Sequence, residues 1–113
     1  MRMICLVLCL LPGPVLAFDA VITRDAFVSL VQGRVLSGDG VSLRVGADGS
    51  ISGRGYGFRV GGRWDWDGQH FCRTLETVIR DFPRNCQTVE VSDGVVRFTA
   101  DQGTGDVADL RLR

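Results

Sequence analysis

From Arg34 to the C-terminus, apolar side chains recur at every second position, and glycine and aspartate interrupt them at short intervals. A β-strand sends successive side chains to opposite faces, so this rhythm predicts strands with one buried and one wetted face. Val41, Leu43 and Val45 alternate with Ser42 and Arg44, and Tyr56, Phe58 and Val60 alternate with Gly57 and Arg59. Val96, Phe98 and Ala100 alternate with Arg97 and Thr99; Ala108, Leu110 and Leu112 alternate with Asp109 and Arg111. The intervening turns are short, Ala47-Asp48-Gly49 and Asp93-Gly94 among them. Short turns join antiparallel neighbours, because a parallel crossover takes a dozen residues or more. The predicted fold is mainly β: an antiparallel meander of seven or eight strands forming a strongly curved sheet or small up-and-down barrel.

The stretch Gly61–Cys72 organises that meander, since it holds both tryptophans and the single histidine. Trp64 and Trp66 share one face of a strand, with Arg63, Asp65 and Asp67 on the other. Gly61-Gly62 before them and Asp67-Gly68 after them both have the composition of hairpin turns. Two tryptophans on one face bury enough apolar surface to decide where a small core lies. The same face, with Tyr56, Phe58, Trp64 and Trp66, is also a candidate ligand-facing wall.

Thr23 to Gln32 breaks the rhythm. Ala26, Phe27, Leu30 and Val31 fall at helical spacing, with Thr23 as N-cap and Gly33 at the C′ position. A helix this short is not stable alone, so its stripe is expected to cover a sheet or one opening of a barrel. Leu75, Val78, Ile79 and Phe82 also have helical spacing ahead of Pro83, leaving Glu76–Arg84 open between a helical turn and an exposed loop.

Residues 1–17 have the form of a signal peptide: a basic start at Arg2, an apolar run from Ile4 to Leu11, a break at Pro12-Gly13-Pro14, and a small-residue cleavage site ending at Ala17. The run is too short to span a bilayer. Cleavage leaves residues 18–113 as a single β domain in the periplasm or secreted, without a membrane anchor. It also removes Cys5 and Cys9, leaving Cys72 and Cys86. In both flanking segments the cysteine lies on the more polar face, Cys72 beside His70 and Thr74, Cys86 beside Thr88. Two antiparallel strands can therefore join them in an outer-face disulfide, which fits an oxidising compartment. Closing that loop stabilises the fold by about 3 kcal/mol in the chain-entropy model.

Of the 13 basic residues, all arginine, and 13 acidic ones, the leader takes Arg2, so the mature domain carries a slight negative excess. The signs are interspersed, which excludes the basic stripe that nucleic acid requires. His70, Cys72 and Cys86, with Glu90 or Asp67, have the residue types of a metal site, but paired cysteines leave too few ligands. His70 as a general base has Thr74, Thr88 and Glu90 as possible neighbours, and Asp101 and Asp106 flank a glycine-rich loop with the oxygen ligands that calcium takes. The plainer readings are a solvated sheet face and a hairpin loop. No catalytic residue, cofactor site or metal site is assigned.

Several short motifs recur together: Gly33-Arg34, Gly62-Arg63-Trp64-Asp65-Trp66, Phe71-Cys72-Arg73, Asn85-Cys86-Gln87, and the closing run Arg97-Phe98-Thr99-Ala100-Asp101-Gln102-Gly103-Thr104-Gly105-Asp106. In this the chain resembles a group of short exported bacterial proteins of uncharacterised function, sometimes labelled dihydrodipicolinate reductase. The resemblance covers nearly the whole mature chain and implies membership of that group without a fixed activity. A nicotinamide-dependent reductase needs a glycine-rich turn leading into a helix. Gly103-Thr104-Gly105-Asp106-Val107-Ala108 has the letters, but the five residues after it are too few, and it reads as strand–turn–strand. The expected role is a binding or structural module in the periplasm, with an unknown small molecule or periplasmic protein as partner. Two specific forms of it are an apolar-ligand carrier using the Trp-lined face, and a protein-binding module like the small exported lysozyme inhibitors.

Overall fold

The computed structural model describes residues 17–113, so the predicted signal peptide, apart from Ala17, lies outside the described residues. The chain opens with a three-residue strand, β1 (Asp19–Val21), and the helix α1 (Arg24–Val31). Seven strands follow: β2 (Leu36–Gly38), β3 (Val41–Val45), β4 (Ser50–Gly55), β5 (Phe58–Asp67), β6 (His70–Glu76), β7 (Asp81–Ser92) and β8 (Val95–Thr99). A single turn, α2 (Ala100–Gly103), leads into β9 (Val107–Leu112). From β2 to β9 each strand pairs antiparallel with the next, and β9 returns to pair with β2. The result is a closed eight-stranded up-and-down barrel, the closed form of the predicted meander. β1 lies beside β7 along Val89–Val91, where β6 has already ended.

Period-two patterning gives the barrel its inside. Leu36, Val45, Ile51, Trp64, Phe71, Val89, Val96, Phe98 and Leu110 are buried in one cluster with Phe27 and Val31 of the helix. The helix bounds follow the expected caps. The Ala26 amide donates to Thr23 Oγ1 at 3.2 Å, and Gly33 takes φ 72° after the last turn. Its short apolar stripe closes one opening of the barrel.

Three local expectations are corrected. Gly61-Gly62 makes no turn but lies inside β5. A Cβ on Gly62 would overlap the Thr74 carbonyl oxygen of β6, so glycine is required there for close approach of strands and not for a reversal. Tyr56 is not a strand residue: with φ 50° it forms the turn Tyr56-Gly57, which joins β4 to β5 as Asp39-Gly40 joins β2 to β3. Of the two readings of Glu76–Arg84, the helical turn is not formed, and the exposed loop shrinks to the few residues between Glu76 and Asp81. β6 runs to Glu76, the Thr77 hydroxyl accepts from the Ile79 and Arg80 amides to make a tight turn, and β7 begins at Asp81. Pro83 fits within β7 because the register shifts there, between Arg73↔Asn85 and Leu75↔Phe82, and a bulge asks for no ladder amide. The expected disulfide is present: Cys72 and Cys86 sit directly opposite in register and are bonded, in line with outward-facing Asp65, and Cys72 is only 1% exposed. The bridge is on the outer face but out of the solvent, flanked by a bidentate contact from Arg84 to Asp65 (2.7 and 3.0 Å).

Candidate functional site

Alternate turns of an up-and-down barrel fall at opposite ends, and the two ends of this barrel differ. At the first, α1 presses Phe27, with no exposed surface, into a ring of aromatics. Its ring centroid lies 5.3 Å from Trp64, 5.3 Å from Trp66, 4.9 Å from Phe71 and 6.3 Å from Phe98. Trp64 donates its indole N–H to the Gly46 carbonyl at 2.8 Å, so its polar atom is satisfied where it is buried. Arg24 lies over the Trp64 ring and donates to the Ala47 carbonyl, tying the helix to the β3–β4 turn.

At the second end the interior is hollow. A cavity of about 200 Å³ is lined by apolar side chains that include Val45, Ile51, Phe71, Phe98 and Leu110. It shares Val41, Leu43, Arg73 and Leu75 with a groove of about 520 Å³ at the mouth, which Tyr56, Phe58, Ile79 and Phe82 border. Phe71 and Phe98 therefore form the cavity floor, and their contacts with Phe27 form the plug beneath it. Tyr56 donates its hydroxyl to the Asp39 carbonyl and lies against Gly40, strapping two adjacent turns of the rim.

Of the four residues expected on a ligand-facing wall, Tyr56 and Phe58 stand at the mouth. Trp64 and Trp66 do not join them, because both pack on Phe27 at the sealed end. The sequence reading missed two polar members of the cavity wall. Arg73 occupies the inward position between Phe71 and Leu75, and Gln87 the inward position opposite Phe71. The signal for Arg73 was present: a charge on the apolar parity of its strand. Burial pushes the Arg73 guanidinium below the usual arginine range, and it donates through Nη1 to the Pro83 carbonyl at 3.1 Å. Gln87 is 8% exposed and donates to Asn85, which in turn exchanges hydrogen bonds with the Asp101 side chain and amide.

The outer face holds the remaining candidates. His70, Thr88 and Glu90 line one groove together with Gln69 and Gln102, and Thr74 is not part of it. No hydrogen bond links the imidazole to Thr88 or Glu90 among the described residues. Cys72 and Cys86 are engaged in their disulfide and supply no thiolate. Asp101 is held by Asn85, and its backbone and that of Gln102 are left-handed (φ 53° and 57°), which shapes the β8–β9 connection. Among the described residues no group of three or more His, Cys, Asp and Glu side chains is placed to hold a metal ion. Gly103 ends α2, and the segment after it enters strand β9.

Comparison with known proteins returns no match: no family model, no curated protein and no solved structure aligns with the chain.

Proposed function

We propose that this protein is an exported binding barrel that takes a small apolar molecule through its open end. One observation carries the reading: an apolar cavity continues into a groove at the mouth, while the opposite end is filled by Phe27. Ligand sites are typically concave and mostly apolar, with a few placed polar groups, and this cavity has that make-up. The disulfide and the leader-like residues 1–17 support an oxidising, exported location, and no helix among the described residues is long and apolar enough to cross a membrane. The test is equilibrium titration with the neutral fluorophore N-phenylnaphthylamine. Saturable one-site binding is expected, lost in Val41→Trp, which fills the junction of cavity and groove. Absence of saturable binding, or equal binding by Val41→Trp, contradicts the reading.

A second reading, a protein-binding module, has its own support. Val78 and Ile79 at the β6–β7 turn are 82% and 69% exposed, an adjacent apolar pair at a hairpin tip. Such a tip suits insertion into a partner's cleft. Val78→Asp, at a residue that lines neither the cavity nor the groove, would abolish capture of that partner and leave fluorophore binding intact.

A further inference from the structure

Arg73 is a cation set into an otherwise apolar wall. It lines both the cavity and the groove. Among the described residues no ion pair includes it, and its guanidinium makes one hydrogen bond, to the Pro83 carbonyl. Asp39, the one acidic residue bordering the cavity among the described residues, sits at the β2–β3 turn and is not paired with it. A guanidinium has five N–H donors, so most of its donor capacity here is left for something other than the protein. Gln87 adds a buried amide to the same cavity, with one N–H given to Asn85. A second cation, Arg80, borders the groove with its guanidinium over the Phe82 ring at 4.7 Å. Apart from Gln87, the cavity wall from Arg73 down to Phe71 and Phe98 is carbon-rich.

We propose that the ligand is a single-chain anionic amphiphile, its carboxylate or phosphate head held by Arg73 and Gln87 and its hydrocarbon chain laid along Val45, Ile51 and Leu110 to the aromatic floor. This rests on the cavity reading above and adds the chemistry of the occupant. A partly buried arginine without a carboxylate partner costs free energy, and an anionic head offsets that cost with charge-assisted, bidentate hydrogen bonds. A neutral apolar molecule would fill the same space and leave the cation uncompensated.

The experiment titrates the purified exported protein by calorimetry with decanoate, decyl phosphate, decanol and decyltrimethylammonium, each below its micellar concentration. At least one of the two anions should bind about ten-fold or more tightly than decanol, as a hydrogen-bonded charge pair implies, and the cation should bind worst. The tighter anion assigns the headgroup. Arg73→Met should remove the preference for the anion while decanol affinity holds, and Arg73→Lys should restore part of it. If decanol binds as well as both anions, or if Arg73→Met keeps the preference, the inference is overturned and the cavity reading stands. If none of the four saturates, both fall. Should Arg73→Met not fold, the charge series on the unaltered protein decides the matter alone.

Discussion

The two ends of the barrel are made from the same strands with the same inward apolar face, yet one is filled and the other hollow. At the α1 end, Phe27 brings a fully buried ring among Trp64, Trp66, Phe71 and Phe98, and each tryptophan N–H finds a carbonyl, at Gly46 or Gly68. At the other end, Val41, Leu43 and Leu75 are only partly buried, and no element of the described chain reaches in to cover them. Alternation along a strand decides which side chains point inward, but it does not decide whether anything meets them there. The sealed end holds the packed aromatic core, and the open end is where we propose that binding occurs. Substitutions at the two ends should therefore separate stability from affinity.

The largest expected effect is at the plug. Phe27→Ala should cost about 3–5 kcal/mol, since the cavity it leaves is walled by large rings that cannot collapse onto it. Chemical denaturation is the check, and a loss under about 1 kcal/mol would mean that the helix does not seal the barrel. Next is the disulfide. Cys72→Ser with Cys86→Ser should cost about 3 kcal/mol, read as a fall in denaturation midpoint that reducing agent reproduces in the parent protein. At the open end Leu75→Ala should cost only about 1 kcal/mol, because a half-buried side chain forfeits part of the transfer free energy. The same substitution should weaken apolar-probe binding several-fold, whereas a plug variant that still folds should leave it little changed. An equal stability loss at Leu75 and Phe27 would erase the distinction between the ends.

The smallest effect lies outside both ends. Arg97 on β8 hydrogen-bonds to Asp109 on β9 at 2.8 and 3.0 Å and holds that carboxyl below the usual aspartate range. A carboxyl whose pKa is depressed on folding lends stability above its unfolded pKa, and that stability is lost as pH falls through the folded value. Asp109→Asn should therefore slightly flatten the acid limb of the pH–stability curve below the ordinary aspartate range. Both side chains are substantially exposed, so solvent screening keeps the contribution small.

Much of this fold was legible in the residues. The two-residue rhythm gave the antiparallel meander, Thr23 and Gly33 bounded the helix, Asp93-Gly94 marked a hairpin, and the parity of Cys72 and Cys86 placed both on one face. What escaped depends on non-local packing. Gly61-Gly62 has turn composition, but only the approach of the Thr74 carbonyl from β6 explains a glycine in mid-strand. Tyr56 bears a side chain that disfavours left-handed backbone, and its conformation is secured by a hydroxyl contact across to the Asp39 carbonyl. β1 exists because β7 outruns β6 and offers an unpaired edge to Asp19–Val21. The candidate site was legible in part. Tyr56 and Phe58 reach the mouth, the tryptophans belong to the plug, and Arg73 was hidden by an alternation read only through its apolar members.

The contrast between a sealed and a hollow end is tested most directly by methyl NMR of the protein with bound decanol. Intermolecular contacts should appear at the methyl groups of Leu43, Leu75 and Leu110 and be absent at Val31 of the helix. Contacts confined to the exposed Val78, or reaching Val31, would show that the interior is not the binding space.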